Sequence, residues 1–300
     1  MTRSRAAADK QHLTIKVAEV VFAFYSDRPT GSVGWKRSYR SFECDEHPDV
    51  RIFTHFDSLP ELSLEDKHLV FDSQSLWRLF RHGGKTVFVL KSAAYDPSPD
   101  RVAVFAADFR HGDVYCRNSL HSAPPDGLLP DPFRYPLNEV LMVCLLAQSR
   151  GLMVHACGVD DGGRGYLFAG NSTHGKTTTA RLWRNRATVL NDDRIVLRRR
   201  EGRFWMYGTP WHGDYTGVAP HGVPLEKLFF LRHAGENCTR QVAGTEAASM
   251  LLSRCFPPLW DAAGMRFTVD FCAQLAESVP CYELGFLPDP DVVDYVRCVP

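Results

Sequence analysis

The stretch YLFAGNSTHGKTTTARLW occupies residues 166–183 of this 300-residue chain, and its pattern decides the predicted fold. Its central eight residues, GNSTHGKT at 170–177, match G-x-x-x-x-G-K-[ST] at every fixed position. The apolar run YLFA before them has the composition of a buried strand, and the run after them favours a helix. The order strand, glycine-rich loop, helix is the context that this pattern requires, so the stretch predicts a phosphate-binding loop.

Each fixed residue of the motif has a chemical task in such a loop. Gly170 and Gly175 allow backbone angles at which successive N–H groups point inward, and the following helix adds the positive end of its dipole. Lys176 can reach the β- and γ-phosphates of a nucleotide, and the hydroxyl of Thr177 can bind Mg²⁺. We interpret His174 as a tolerated surface residue, with a role near the γ-phosphate as the alternative. The predicted nucleotide-binding residues are Gly170, Asn171, Ser172, Thr173, His174, Gly175, Lys176, Thr177 and Thr178.

Two adjacent acids, Asp192 and Asp193, begin only 16 residues after Lys176. If the helix is a right-handed crossover between parallel strands, both acids lie at the same sheet edge as the phosphate loop. The alternative is an acidic pair that merely begins a turn. Phosphoryl transfer needs a metal beside the phosphates and a base for the attacking hydroxyl. We assign Asp192 as the base and Asp193, with Thr177, to the metal, and the two roles can be exchanged.

The residues around this motif resemble a known family. The run MVHACGVDDGGRGYLFAGNSTHGKTTTARLW at 153–183, followed by TVLNDDRIVL at 188–197, is similar to the catalytic core of the HPr kinase/phosphorylase family. Short relatives in that family include kinases of lasso-peptide precursors, and the core shares its phosphate loop with phosphoenolpyruvate carboxykinases. The similarity covers residues 136–218, about a quarter to a third of the chain.

The resemblance implies ATP- and Mg²⁺-dependent phosphorylation of a hydroxyl, with the first acid, Asp192, as general base. In the family a histidine lies on the strand before the loop, and His155 occupies this place, near the transferred phosphate. The resemblance thus implies Asp192, Lys176 and His155 as catalytic residues. A hydrogen-bonded histidine that only supports the loop is the alternative for His155. The resemblance also implies a homo-oligomer.

This chain departs from the family in ways that affect the acceptor. The second glycine-rich signature of HPr kinases is not found, so the carrier protein HPr is not indicated, and serine in another peptide or protein, such as a ribosomal peptide precursor, is expected. The segment GTPWHGD at 208–214 is either a structured turn or an active-site loop in which His212 or Asp214 helps hold metal or acceptor. The alternatives for function are a kinase of a small metabolite, carboxykinase chemistry, and a nucleotide-binding scaffold or sensor without transfer activity.

Composition excludes several classes of protein. Lys+Arg and Asp+Glu both number 35, and a chain without net charge is not expected to coat nucleic acid or an anionic membrane. The apolar run at 140–147 is too short to span a bilayer, and the charged N-terminal residues do not form a signal peptide. The 9 cysteines are scattered and fit small buried side chains in a reducing compartment. We therefore expect a cytoplasmic protein that partners neither nucleic acid nor membrane.

The predicted fold class is α/β, with a β-rich N-terminal region followed by an HPr kinase/phosphoenolpyruvate carboxykinase-like P-loop core. The predicted domains are a β-rich domain at 1–121, a proline-rich linker at 122–136 and a catalytic domain at 137–300. A single strand is predicted over Leu13–Phe24 because its residues are β-branched and aromatic. Helices are predicted at 137–149, 176–186, 245–254 and 290–298, and strands at 87–90, 102–105, 114–116, 153–159, 166–169, 188–190, 195–197 and 204–207.

Overall fold

The computed structural model describes residues 10–60, 68–91, 98–117, 127–171 and 173–300. The chain divides into two compact units, Met1–Met142 and Val143–Pro300. Within the described ranges, no helix is both long and apolar enough to cross a lipid bilayer.

The first unit contains one large sheet. Its strands are β1 (Lys10–Val17), β2 (Val20–Ser26), β3 (Val33–Gly34), β4 (Val50–His55), β5 (His68–Asp72), β6 (Trp77–His82), β7 (Lys85–Leu90), β8 (Arg101–Phe105), β9 (His111–Cys116) and β10 (Leu129–Pro130). Eight strands form the sheet in the order β1-β2-β4-β9-β8-β7-β6-β5, while β3 and β10 pair separately. Strand β4 is parallel to β2 and β9, and the other neighbours are antiparallel. On one face, the buried ring of Phe133 packs against Phe22 and Phe24.

The single strand predicted over Leu13–Phe24 is wrong, because the chain reverses in its middle. Ala18 and Glu19 have φ angles of 48° and 63°, and β1 and β2 pair as an antiparallel hairpin on either side of them. A two-residue hairpin turn of type I′ has positive φ at both central residues, and the paired strands impose that conformation here.

The described part of the predicted linker packs within the first unit. Residues 122–126 lie outside the described residues. The buried guanidinium of Arg101 donates to the carbonyl oxygens of Pro132, Arg134 and Tyr135, at 2.9 to 3.0 Å. These bonds give partners to two nitrogens of the buried guanidinium, and they hold residues 132–135 against β8.

The second unit is built on a mixed sheet with helices on both faces. Its strands are β11 (Leu152–Asp161), β12 (Arg164–Ala169), β13 (Thr188–Asn191), β14 (Arg194–Arg200), β15 (Arg203–Tyr207), β16 (Gly222–His233), β17 (Cys238–Val242) and β18 (Cys281–Phe286). Its helices are α2 (Lys176–Trp183), α3 (Gly244–Leu252), α4 (Ala262–Ser278) and α5 (Asp291–Cys298), and α1 (Leu137–Leu146) contains the point of division between the units. The sheet order is β12-β11-β14-β15-β16-β18-β17; in addition, β13 pairs with β11, and β12 also pairs with β16.

Apolar side chains point to both faces of this sheet, and both faces are buried. Tyr166 and Phe168 of β12 pack with Trp183 of α2 and with residues of α5. Leu167 and Ala169, between and after them, pack with residues of α3 and α4 on the opposite face. Side chains of a strand alternate between faces, so one short strand supplies both layers of the core. The phosphate-loop motif begins where this doubly covered strand ends.

Candidate active site

The predicted order of strand, loop and helix is present around the glycine-rich motif. Strand β12 ends at Ala169, and α2 begins at Lys176. Gly175 has a φ of 95°, and a Cβ at this position would lie 2.7 Å from a ring carbon of Phe286. Glycine is therefore required there for both conformation and space. Ser172 lies outside the described residues, and phosphate binding by the loop stays a prediction.

Lys176 is held against the loop that it follows. Its Nζ donates to the carbonyl oxygen of Asn171 at 3.0 Å, and the residue is 7% exposed. Burial lowers the pKa of Lys176, and the nearby carboxylate of Asp193 acts in the opposite direction. An amine that is largely shielded from solvent gains more from an anionic partner than an exposed amine does.

Asp192 lies beside the loop and is almost completely buried. Strands β12 and β13 flank β11, and both are antiparallel to it, so they run in the same direction and end at the same edge. The Thr177 hydroxyl donates to Asp192 Oδ2 at 2.8 Å, and Asp192 is 1% exposed. The backbone N–H groups of Gly213 and Tyr215 donate to its two oxygens at 2.8 and 3.0 Å. This carboxylate therefore has three donors within the protein.

Asp193 has a different environment. Its Oδ1 lies 2.8 Å from His155 Nε2 and its Oδ2 lies 2.6 Å from Arg194 Nη1, while 24% of its side chain is exposed. Burial acts to raise the pKa of Asp193, but the hydrogen bond from His155 and the charge of Arg194 outweigh it, and the pKa is lowered. The guanidinium of Arg194 lies 4.4 Å from the ring centroid of Phe256. Asp193 is thus an accessible, ionised carboxylate with a histidine beside it.

Asn191 organises the acidic pair, and its role was not predicted from the sequence. Its buried Oδ1 accepts from the backbone N–H groups of Asp193 and Arg194, at 2.6 and 2.8 Å. Its Nδ2 donates to the carbonyl oxygen of Thr209 at 2.8 Å. Asparagine commonly bonds to the backbone two residues ahead, so the order Asn-Asp-Asp was a usable local signal. The contact with Thr209, 18 residues later, had no such signal.

The segment at 208–214 contributes through its backbone. Trp211 is buried, and a Cβ at Gly208 would lie 2.0 Å from the carbonyl oxygen of Ala219. His212 Nδ1 lies 2.9 Å from the carbonyl oxygen of Gly213, and Asp214 is exposed. The segment is therefore a tightly packed turn, and the N–H of Gly213 within it donates to Asp192 Oδ1. A role for His212 or Asp214 at metal or acceptor stays a prediction.

His174 is partly exposed and lies beside a second histidine, and its role stays a prediction. Its ring lies edge-on to His233 with the ring centroids 6.1 Å apart, and burial lowers its pKa. His233 Nε2 lies 3.0 Å from the carbonyl oxygen of Thr173. The two histidines therefore lie side by side at the phosphate-loop motif, to which His174 belongs and whose backbone His233 contacts.

The donor set beside the loop fits Mg²⁺ when the phosphates of a nucleotide are counted with it. Thr177 Oγ1 and Asp192 Oδ2 are 2.8 Å apart, and hydroxyl and carboxylate oxygens are the ligands that Mg²⁺ prefers. The part of the chain that the structure describes holds no group of three or more His, Cys, Asp or Glu suited to a metal. Magnesium sites at nucleotides use one or two carboxylates together with the phosphates. The geometry places Asp192, rather than the predicted Asp193, beside Thr177.

No family model matches the chain, and no curated protein matches it. Among solved structures, the chain is similar to the Hpr(Ser) kinase/phosphatase from Coxiella burnetii, at 12% sequence identity and a TM-score of 0.31. The aligned region covers 48% of this chain and 93% of that chain. The geometry of the site, and not this likeness, supports the function proposed below.

Proposed function

We propose that the protein is a kinase that binds ATP with Mg²⁺ at residues 170–178 and transfers the γ-phosphate to a hydroxyl, a serine of a peptide or protein. One observation carries this proposal. Two adjacent acids at the end of β13 face different partners: Asp192 accepts from Thr177 at the phosphate-loop motif, and Asp193 contacts His155. Phosphoryl transfer needs these two functions, one at the metal and one at the attacking hydroxyl, side by side.

On the nucleotide side, the chain supplies a cation and two oxygen ligands. Lys176 leaves the carbonyl oxygen of Asn171 and donates to the terminal phosphates, because a charge-assisted bond is stronger than a bond to a neutral amide. Thr177 and Asp192 would hold Mg²⁺, which would supply the charge that neutralises the phosphates. The N–H groups of Gly213 and Tyr215 keep the Asp192 carboxylate in place.

On the acceptor side, Asp193 receives the proton of the attacking hydroxyl. This assignment exchanges the two roles predicted from the sequence, because Asp192 is only 1% exposed whereas 24% of the Asp193 side chain is exposed. The acceptor O–H bond breaks as its oxygen bonds to the γ-phosphorus, the proton passes to Asp193, and ADP leaves with the electrons of the broken P–O bond. A carboxylate with a lowered pKa suffices, because a loose transition state demands orientation of the hydroxyl more than its early deprotonation. His155 orients this carboxylate through the contact of its Nε2 with Asp193 Oδ1.

Transfer of labelled γ-phosphate to a library of serine-containing peptides tests the proposal. A leader-bearing ribosomal peptide precursor is the first acceptor class to include, following the family resemblance. The wild-type chain with ATP and Mg²⁺ should label an acceptor at serine, and Lys176→Ala should abolish labelling. Asp193→Asn should bind ATP and lose transfer. Lys227→Ala changes a buried lysine that donates to the carbonyl oxygen of Val299, and it serves as the control for loss of a buried amine.

Nucleotide binding without a phosphorylated product would contradict the transfer step and support a nucleotide-binding scaffold or sensor. Labelling of free hydroxylated metabolites, with none of the peptides labelled, would contradict the peptide acceptor and support a small-metabolite kinase. Labelling that survives Lys176→Ala would contradict the site itself.

A further inference from the structure

Arg194 has a place in the site that the proposed transfer mechanism does not use. It follows the acidic pair directly, and its Nη1 lies 2.6 Å from Asp193 Oδ2, with 14% of its side chain exposed. Its guanidinium also covers the ring of Phe256 at 4.4 Å. Its backbone N–H is fixed by Asn191 Oδ1 at 2.8 Å. Its Nη1 also donates to the carbonyl oxygen of Asp193 at 3.4 Å. The backbone is anchored, so the charge moves when the side chain rotates away from these contacts.

The ion pair occupies an oxygen that transfer needs. Asp193 Oδ1 is engaged by His155 and Oδ2 by Arg194. A carboxylate whose two oxygens both have strong donors is poorly placed to receive a hydroxyl. One of the two contacts must open before the acceptor can bind, and the longer, more flexible side chain belongs to Arg194.

A bound triphosphate offers Arg194 a better partner. Arg194 lies two residues after Asp192, which accepts from Thr177, the neighbour of Lys176, and the charge of Arg194 acts to lower the pKa of Lys176. Arginine pairs with phosphate oxygens at least as well as with a carboxylate, because its planar donors match both geometries. A terminal phosphate between Lys176 and Arg194 would draw both side chains from their present acceptors.

We propose that Arg194 is a triphosphate-responsive latch, which holds Asp193 Oδ2 in the free protein and moves to the terminal phosphate of bound nucleotide, freeing that oxygen for the acceptor hydroxyl. This inference rests on the proposed function, because it requires a nucleotide at the phosphate-loop motif. It makes Arg194 the residue that distinguishes a triphosphate from a diphosphate. It also prevents Asp193 from meeting an acceptor before ATP is present.

The test compares dissociation constants for ATP and ADP, each with Mg²⁺, measured by calorimetry on the full chain. Arg194→Gln should reduce the preference for ATP over ADP by roughly 10- to 100-fold, the range expected for one charged hydrogen bond, with ADP affinity little changed. Arg194→Lys should keep part of the preference. Arg199→Gln is the matched control, because Arg199 lies on the same strand and bonds to the exposed Gln274; its ratio should equal that of the wild type.

A second variant changes the other partner of the ion pair, Asp193, so it tests the latch even if Arg194→Gln does not fold. Asp193→Asn removes the charge that holds Arg194, so ATP should bind several-fold more tightly than to the wild type while ADP affinity stays the same. A wild-type ratio of ATP to ADP affinity in Arg194→Gln, or unchanged ATP affinity in Asp193→Asn, overturns the latch and leaves the proposed function standing. A wild-type chain that binds neither nucleotide overturns both.

Discussion

Replacing Asn191 with alanine removes the side chain that joins the acidic pair to the segment at 208–214. Asn191 is 0% exposed, and four bonds are lost. Oδ1 accepts from the N–H groups of Asp193 and Arg194, and Nδ2 donates to the carbonyl oxygen of Thr209 and, at 3.4 Å, to its hydroxyl. A buried group left without a partner costs about 1–3 kcal/mol. Part of this cost is recovered because the backbone near the partly exposed Asp193 can relax. We therefore expect Asn191→Ala to lower the free energy of unfolding by roughly 3–5 kcal/mol.

Urea unfolding of the full chain, followed by circular dichroism and tryptophan fluorescence, measures this loss. Asn237→Ala is the matched control, because its Oδ1 accepts a single backbone bond, from Leu287 at 2.9 Å, in an exposed setting. The control should lose about 1 kcal/mol or less. If Asn191→Ala loses no more than the control, the bonds of Asn191 do not hold the site together, and the description of Asn191 as its organiser is refuted.

Two further predictions concern the loop and the acidic pair. Gly175→Ala should destabilise the protein by roughly 2–4 kcal/mol and weaken ATP binding, because φ is 95° and the new Cβ would lie 2.7 Å from Phe286. Gly162 has a φ of 64° and open space where a Cβ would lie, so Gly162→Ala should lower the free energy of unfolding by only about 1 kcal/mol. Thermal unfolding of both variants measures the two losses, and equal losses would contradict the role of the contact with Phe286. The pKa of Asp193 is lower in the folded than in the unfolded chain, so its pairing stabilises the fold above about pH 4 and is lost as the pH falls below that value. Asp193→Asn should therefore flatten the acid limb of a plot of unfolding free energy against pH, and superimposable limbs for variant and wild type would show that the pairing contributes nothing.

The parts of the site that were predictable are those encoded by local spacing. The motif at 170–177 requires a preceding strand and a following helix, and β12 and α2 lie where those elements were expected. The short crossover also brought Asp192 to Thr177, because two strands of the same direction end at one edge. The division of roles between the two acids was not predictable, since burial and donor number depend on the segment at 208–214, which approaches only in the folded chain.

Elements that depend on tertiary contacts were missed. Helix α4 (Ala262–Ser278) is capped by Asp261, whose side chain accepts from the N–H of Ala263. Gly264 and the β-branched Thr268 weaken its local helix signal. Its buried residues are spaced for one helical face that packs against the sheet, and this packing outweighs propensity. The hairpin between β1 and β2 was missed for a related reason, because Ala18 and Glu19 are not turn-forming residues and adopt positive φ only through strand pairing.

The division of labour between Asp192 and Asp193 is the central claim of this account, and the Mg²⁺ dependence of ATP affinity tests it directly. The measurement is the ATP dissociation constant with Mg²⁺ and with excess chelator, for the wild type, Asp192→Asn and Asp193→Asn. Because Asp192 lies against Thr177 at 2.8 Å, Asp192→Asn should lose most of the gain in affinity that Mg²⁺ gives the wild type, while Asp193→Asn should keep it. Loss of the Mg²⁺ effect in Asp193→Asn with its retention in Asp192→Asn would contradict the account and restore Asp192 as the base.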